Sequence, residues 1–484
     1  MRGRRGEGAM SQLLIAPDSL ATAATDVDEI AAAIHAASTA AAGPTSGVLA
    51  AAGDEVSTAI TALFNDFGAE YQQVVRQANA FQSEFARALA AAGTAYAEAE
   101  LAARTVLANA AGGILSASGA ALPAAGQNIA LIMGGTNNPL PTAEYLADIQ
   151  KWWIQKLLPG WIPKALFTPE QFWPVTPDLG TMTYNQSVAK SVSLLNSAIS
   201  QQIGLGNNVV AFGYSQSASI INNEIVALMA AGSPYQGQLS FLMAAAGNNP
   251  NGGLLSRFPG FYIPILDATF NGATPANNPY PTQIFTAQYD GIAHAPQYPL
   301  NVLADVNAVM GYFYVHNQYP TLSASTAIQL PTSPGYTGHT QYYMFPTQNL
   351  PLLQPIRDIP YAGPPIADVL QPALRVMVDL GYNDGYANLP TPAGLINIPN
   401  PVNVAYYLGQ SLWQGPYGAA VEIGVEAGWW GPEHFPDAYP WVPSTNPGLN
   451  FYLGPSLSQS PVTAVSLLSG ALGDVLDIIP PIFN

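Results

Sequence analysis

The sequence GYSQS at residues 213–217 places a serine where it could act as a nucleophile. A short apolar run, residues 209–212, precedes it, and apolar residues recur after it at helical spacing. A nucleophile elbow requires this order of strand, tight turn and helix. Gly213 and Ser217 are small enough to flank a strained turn, although Ser217 stands where glycine is usual. We therefore predict that Ser215 is a catalytic nucleophile rather than part of an ordinary loop.

The predicted orienting carboxylate is Asp290. A serine hydroxyl needs a base to accept its proton, and that base needs a carboxylate to orient it. Asp290 directly follows the apolar run 283–289, and parallel sheets deliver site residues at the carboxyl ends of their strands. The pair Asp290-Gly291 could also be a simple turn. Asp267, which lies in another apolar run, is the alternative acid.

The predicted base is His316, with His339 as the alternative. His294 is too close to Asp290 in sequence to come from a separate loop. His316 ends a helical segment, 302–314, that follows the Asp290 loop, so it can return to the carboxyl edge of the sheet. His339 lies in a glycine-rich loop before another predicted strand.

Two backbone regions are predicted to form the oxyanion hole, which needs preorganised hydrogen-bond donors. One is the amide of Gln216, directly after the nucleophile. The other is the loop Gly134-Gly135-Thr136, which follows a short apolar strand at 129–133. A Gly-Gly loop could also bind phosphate, but no P-loop lysine follows it. This chemistry needs no metal and no cofactor.

The composition limits the classes of function. The chain has 484 residues, 9% charged and 49% hydrophobic, which predicts two or three packed domains. Its net charge is −17 with only 13 basic residues, so nucleic acid is not expected as a partner. The absence of cysteine excludes disulfides, thiolate catalysis and thiolate-bound metals. No apolar run is long enough for a transmembrane span. The basic residues 1–9 lack the apolar run of a signal peptide and are treated as an extension.

The periodicity predicts a helical hairpin over residues 10–101. Its second helix carries an apolar stripe from Val56 to Tyr96, about 65 Å long at the helical rise per residue. Two helices cannot bury that stripe between them, so something else must cover it.

The rest of the chain divides into three further parts. Residues 102–128 are rich in Ala, Gly and Ser and predict a linker. Residues 129–395 alternate short apolar strands with helices, which predicts an α/β domain with a mostly parallel sheet. Residues 396–484 are rich in aromatics, Pro and Gly, with a helical pattern at 462–476, and are predicted to form a cap or lid.

The hairpin resembles the N-terminal domain of the mycobacterial PE family. Pro17-Asp18 stands where that family has Pro-Glu, and Tyr96 with Glu100 matches its YxxxD/E pattern. The resemblance implies that this pattern is a signal for export by type VII secretion to the cell envelope or surface. It also implies that the apolar stripe docks a helical partner protein of the PPE type.

Residues 129–390 resemble the PE-PPE domain, which is related to cutinase-like serine esterases of the α/β-hydrolase fold. The matching stretches are MGGTNNP, GYSQS, QYDGIAHAP, YVHNQYP and TQYYMFPTQNLPLL. His316 and Tyr319 fit the HxxY context of the cutinase histidine. The resemblance implies a secreted esterase or lipase acting on acyl esters or lipids. An acyltransferase using an envelope glycolipid hydroxyl, or a non-catalytic surface or export protein, remain the alternatives.

Overall fold

A computed structural model describes residues 126–382, 385–395 and 397–451, together with isolated residues between 32 and 72. The chain divides into a unit of residues 1–123 with 482–484 and a second unit of residues 124–481. In the first unit, the residues described within 32–43 and within 57–72 are helical.

Several sequence predictions lie outside the described residues. They include most of the hairpin 10–101, the pair Tyr96 and Glu100, the linker up to residue 125, and the helical pattern at 462–476.

The second unit is built on a mostly parallel sheet. In the described residues, seven strands take the order β2-β1-β3-β4-β7-β9-β8, and only β8 runs antiparallel to its neighbour. The strands are β1 (Asn128–Ile132), β2 (Ile162–Ala165), β3 (Asn208–Tyr214), β4 (Leu239–Ala244), β7 (Thr282–Ala287), β8 (Ile328–Gln329) and β9 (Thr340–Phe345). A separate antiparallel pair consists of β5 (Tyr262–Ile263) and β6 (Ala268–Thr269). The predicted α/β fold class is confirmed.

Helices alternate with these strands. The α-helices of the described residues are α1 (Ala143–Ile149), α2 (Gln155–Leu157), α3 (Tyr184–Gly204), α4 (Gln216–Ala230), α5 (Leu254–Arg257), α6 (Val302–Tyr314), α7 (Gln354–Arg357), α8 (Gly363–Asp379) and α9 (Pro401–Glu426). A π-helical turn, Gln150–Ile154, joins α1 to α2. Short 3-10 turns lie at Pro177–Leu179, Pro264–Leu266, His316–Thr321, Ala324–Thr326, Pro351–Leu353 and Pro432–His434.

The central strands are buried on both faces. In β1, Ile129 and Leu131 belong to one core layer, whereas Ala130 and Ile132 belong to the other. Both layers are apolar because helices cover both faces of a parallel sheet. This explains why the strands appear in the sequence as continuous apolar runs.

The carboxyl ends of β1 and β3 form a topological switch point. β2 and β3 pair with opposite sides of β1, so the order of the strands reverses there. Open α/β sheets bind ligands in the crevice at this point. The loop 134–138 after β1 and Ser215 after β3 both lie at this edge.

Helix α9 lies in the stretch for which the sequence predicted only a cap or lid. It contains Pro416 and four glycines, and three of those glycines, Gly415, Gly418 and Gly424, are sites of close packing. A Cβ at Gly415 would lie 2.4 Å from the Val369 carbonyl oxygen, and one at Gly418 would lie 2.1 Å from the Trp441 ring. Tertiary packing therefore overrides a low helix propensity. In the described part of the chain, no helix combines the length and apolarity that crossing a membrane requires.

Candidate active site

Ser215 occupies a strained turn between β3 and α4. Its φ of 58° and ψ of −115° are unusual for a residue with a side chain. A Cβ at Gly213 would lie 2.5 Å from the Ser217 carbonyl oxygen, so glycine is required there. The Ser217 hydroxyl accepts a hydrogen bond from the Tyr214 N–H at 2.7 Å and donates one to the Tyr214 carbonyl at 3.0 Å. The serine in the usual glycine position therefore closes the turn.

Ser215, His316 and Asp290 form one line of hydrogen bonds. The Ser215 Oγ lies 2.8 Å from His316 Nε2. His316 Nδ1 lies 2.8 Å from Asp290 Oδ1 and 3.0 Å from Oδ2. The imidazole and the carboxylate are both buried. The structure thus brings together the three residues that the sequence predicted as nucleophile, base and acid.

His316 is fixed by the elements around it. It begins a 3-10 turn, and a single residue, Val315, separates this turn from the end of α6. The sequence prediction of a helix at 302–314 is confirmed. The Tyr214 hydroxyl donates to the His316 carbonyl at 2.7 Å. The Tyr312 ring stacks on the imidazole with centroids 5.5 Å apart. The ring can therefore present Nε2 to Ser215 without reorganisation.

Asp290 is held in its charged form. The Ile292 N–H donates to Oδ1 at 2.9 Å, and the Tyr319 hydroxyl donates to Oδ2 at 2.8 Å. Burial raises the pKa of this carboxyl, but the imidazole of His316 and the three hydrogen bonds lower it more, so its net pKa lies below the ordinary value. No role for Tyr319 was predicted from the sequence, although the HxxY pattern contains this residue.

The groups predicted to form the oxyanion hole lie around the start of α4. The amide of Gln216, the first residue of that helix, has no partner within the helix because it is in the first turn. The Thr136 hydroxyl donates to Gln216 Oε1 at 2.8 Å. A Cβ at Gly135 would lie 2.9 Å from the Tyr214 ring. The loop of Gly135 and Thr136 therefore packs directly against the elbow.

The two alternative residues lie elsewhere. His339 is exposed and directly precedes β9, so it lies at the amino edge of the sheet, opposite Ser215. Asp267 accepts hydrogen bonds from the Thr183 hydroxyl at 2.5 Å and the Asn185 amide at 3.0 Å, at the start of α3. Neither belongs to the hydrogen-bonded line.

A cavity of about 490 Å³ opens beside Ser215. Its walls are mostly apolar and come from the loops after β1, β2, β4 and β7, from the start of α3, and from the β5–β6 pair. The apolar lining residues include Phe172, Val175, Leu254, Leu255, Ile263, Leu266, Phe270 and Ile292. Small-molecule sites commonly have this size and character. Among the described residues, no cluster of three or more His, Asp or Glu could hold a metal ion.

Glu170 is a buried acid that was not among the residues predicted from the sequence. Its carbonyl accepts from the N–H of Asn137 in the loop after β1 at 3.0 Å, and Oε1 accepts from the Thr168 hydroxyl at 2.7 Å. Its Oε2 is buried without a hydrogen bond to a described residue. Burial raises the pKa of Glu170 to about 8, although the bond from Thr168 lowers it. Glu170 is therefore protonated at neutral pH.

Relative to the wild type, the Tm of Glu170→Gln should be more favourable at pH 8 than at pH 5. Between the ordinary pKa of 4.5 and the folded value of about 8, the folded chain holds a proton that the unfolded chain releases. The free energy of unfolding therefore falls as pH rises, by up to about 1.4 kcal/mol per pH unit, and glutamine removes this loss. Thermal unfolding at both pH values measures it, with Glu144→Gln, an exposed glutamate, as control. An equal change in Tm at both pH values would contradict the prediction.

The comparison with known proteins identifies the family. The PE family pattern matches residues 13–103, and the PE-PPE domain pattern matches residues 159–383. "PE family protein PE3" of Mycobacterium tuberculosis (strain ATCC 25618 / H37Rv) is 50% identical over 98% of this chain and 100% of its own length. The chain belongs to the PE family. This confirms the resemblance found in the hairpin and in the α/β domain.

Two further proteins resemble this PE protein. "Esterase PE16" of the same Mycobacterium tuberculosis strain is 43% identical over 83% of this chain and 76% of its own length. The solved structure of a novel cutinase-like protein from Cryptococcus sp. matches with a TM-score of 0.25 and 15% identity, over 36% of this chain and 82% of that one. The fold assignment rests on the order and direction of the strands described above.

Proposed function

We propose that this PE family protein is a serine esterase that hydrolyses acyl esters. Ser215 is the nucleophile, His316 the general base and Asp290 the carboxylate that orients it. The observation that carries the proposal is the hydrogen-bonded line from the Ser215 Oγ through the imidazole to a buried carboxylate. The name of the relative "Esterase PE16" supports the same class of reaction.

The first half of the reaction forms an acyl-enzyme. His316 Nε2 takes the proton of the Ser215 hydroxyl as Oγ attacks the ester carbonyl carbon. The resulting tetrahedral intermediate carries its negative charge on the former carbonyl oxygen. When it collapses, the alcohol leaves with the proton from Nε2, and the acyl group stays on Oγ. Asp290 remains ionised and stabilises the imidazolium while it exists.

The oxyanion is stabilised by backbone donors at the start of α4. The Gln216 amide lies at the start of α4, the loop of Gly135 and Thr136 packs against the elbow, and the positive end of the helix dipole adds to their effect. The Thr136 hydroxyl donates to the Gln216 side chain, which in turn donates to the Gln171 carbonyl at 3.1 Å. These contacts hold the donors in place before the substrate binds.

The second half of the reaction releases the acid. Water takes the place of the alcohol, loses a proton to His316 Nε2 and attacks the acyl carbon to form a second tetrahedral intermediate. When this intermediate collapses, its bond to Ser215 Oγ breaks, Oγ takes the proton back from Nε2, and the free acid leaves. The apolar cavity beside Ser215 suits the hydrocarbon part of an acyl ester, whose burial there is favourable. The substrate class is therefore an ester with an apolar acyl group.

An acyltransferase is the alternative within the same chemistry, because an alcohol can replace water at the acyl-enzyme. Product analysis distinguishes the two. With a chromogenic acyl ester and added glycolipid or sugar alcohol, an esterase yields free acid, whereas an acyltransferase yields the new ester.

A fluorophosphonate probe tests the proposed function. The probe reacts only with an activated serine, so we expect one label per chain, mapped to Ser215 by peptide mass spectrometry. Heat-denatured protein is the control and should not react, because the activation depends on the folded geometry. An unlabelled native protein, or a label at another serine, would contradict the proposal. The first outcome would favour a non-catalytic surface or export protein.

We further propose that the N-terminal region serves export and partnership. The PE family match over residues 13–103 supports a helical hairpin that docks a PPE-type partner along its apolar stripe. Tyr96 and Glu100 are then the signal for type VII secretion to the cell envelope or surface.

A further inference from the structure

Tyr289 lies in the turn between the end of β7 and Asp290. Its φ of 68° is strained for a residue with a side chain, and it directly precedes Asp290. The Tyr289 N–H donates to His294 Nδ1 at 3.1 Å. The Tyr289 carbonyl packs against Gly311 of α6, where a Cβ would lie 1.8 Å from the oxygen. A strained residue keeps this geometry only if its surroundings hold it firmly.

The side chain of Tyr289 is anchored on Asp379, near the end of α8. The buried Tyr289 hydroxyl donates to Asp379 Oδ1 at 2.7 Å. Burial raises the pKa of Asp379 to about 6, while Arg375 one turn earlier and the tyrosine hydroxyls lower it. Arg375 is itself buried and donates to the Thr347 carbonyl at 3.3 Å. The anchor is thus a buried carboxyl that depends on its donors.

The second donor to Asp379 comes from the C-terminal part of the chain. The Tyr439 hydroxyl donates to Asp379 Oδ2 at 2.9 Å. Tyr439 lies outside the stretch that the PE-PPE domain pattern matches, residues 159–383. Two tyrosines from distant parts of the sequence therefore share one carboxyl group, one on each oxygen.

The segment that carries Tyr439 is fixed on both sides. On α9, Gln414 Oε1 accepts from the Trp441 N–H at 3.0 Å, and its Nε2 donates to the Ala438 carbonyl at 3.3 Å. On the other side, Gln288 Nε2 donates to the Ser444 carbonyl at 2.8 Å. Residues 438–444 therefore contact the turn of Asp290 both directly, at Gln288, and through Asp379.

We propose that Tyr439 and Asp379 are positioning residues for Asp290. Residues 438–444 then act as a brace, which means that they hold the turn of residues 288–290 in place, and they do not form a lid. This inference rests on the proposed function, in which Asp290 orients His316. Without the Tyr439 hydroxyl, Asp379 loses one of its two tyrosine donors and holds Tyr289 less firmly. The Asp290 carboxylate then departs from its position on His316 Nδ1.

The test is Tyr439→Phe in the full-length protein, with Tyr406→Phe as matched control. Tyr406 lies on α9 and is 60% exposed, so its hydroxyl is not part of the brace. We expect Tyr439→Phe to lower kcat for a chromogenic acyl ester about tenfold, the scale of one hydrogen bond to a charged group, while KM changes less than about twofold. A purely structural role would change Tm and the yield of folded protein but leave kcat per folded molecule unaltered.

A second variant tests the other tyrosine that donates to Asp379. Tyr289→Phe removes the other donor to Asp379 and should lower kcat by a similar factor. Because both hydroxyls act through one carboxyl, the double variant should lose much less activity than the product of the two single losses. Multiplicative losses, or unchanged kcat in Tyr439→Phe, would overturn the inference.

An NMR measurement tests the positioning of Asp290 independently of the proposed esterase activity. The hydrogen bond to Asp290 shifts the proton NMR signal of His316 Nδ1–H downfield, whether or not the protein hydrolyses esters. We expect the signal to move upfield or broaden in Tyr439→Phe and to stay in place in Tyr406→Phe. If the wild type is inactive but the signal responds in this way, the proposed function fails and the brace stands. An unchanged signal in Tyr439→Phe removes the brace.

Discussion

Replacing Ser215 by alanine is expected to lower the kcat for hydrolysis of a chromogenic acyl ester about a million-fold. Losses of this size follow when a serine nucleophile is removed, because the remaining oxyanion donors cannot form the acyl-enzyme. The expected loss is much greater than for any neighbouring hydroxyl, since only Ser215 Oγ lies at 2.8 Å from His316 Nε2 in the described line. Single-turnover and steady-state kinetics measure it, and fluorophosphonate labelling should disappear with it.

The fold should survive this change. Alanine keeps the Cβ of Ser215, so the strained φ of 58° costs the variant no more than the wild type. The lost hydrogen bond joins two side chains of the site and supports no strand or helix. We therefore expect Tm to stay within a few degrees of the wild type, in line with the small effect of removing one such bond.

Ser217→Ala is the matched control, because it removes the same atom two residues away in the same turn. The Ser217 hydroxyl is bonded to the backbone of Tyr214, so its loss should lower Tm while most activity remains. A fully active, folded Ser215→Ala variant would exclude Ser215 as nucleophile. A dead Ser217→Ala with an unchanged Tm would indicate that the wrong serine has been assigned.

The elbow was predictable because its signals are local. A β-branched apolar run, a small-residue turn and a helical periodicity all lie within residues 209–228. The helical pattern of α6 is also local, and in the structure Asn301 caps the helix by accepting from the Ala304 N–H at 3.1 Å. Asp290 and His316 then followed from chain order, because a parallel sheet brings the carboxyl ends of its strands to one edge.

Contacts between distant residues had no such signal. Tyr439 and Asp379 are 60 positions apart, and each in isolation resembles an ordinary tyrosine or aspartate. Glu170 had no sequence signal either, because burial of an acid is a property of the tertiary structure. Helix α9 was missed for a related reason. Its glycines lower helix propensity, whereas the close packing of Val369, Trp441 and Trp430 against them is a tertiary contact that the sequence does not show.

The second large effect on activity is expected at His316, the proposed base, and not at His339. We expect His316→Ala to lower ester hydrolysis about a million-fold, since loss of the base is as severe as loss of the nucleophile when the two act as a unit. His339→Ala should keep nearly full activity. The reason is position: β9 has six residues, and His339 precedes it at the edge opposite Ser215, about 20 Å away along the strand.

The stability of both histidine variants must be measured alongside their activity, because only His316→Ala removes a hydrogen bond from a buried charged group. His339 is exposed, and its described bond uses the carbonyl, which accepts from the Thr282 N–H at 3.1 Å and is retained in alanine. Removing His316 instead leaves the buried Asp290 carboxylate without its imidazole partner, which is destabilising. His316→Gln, whose amide can still donate a hydrogen bond, is therefore the second variant. If folded His316→Gln hydrolyses the ester at the wild-type rate while His339→Ala is inactive, the base is not His316.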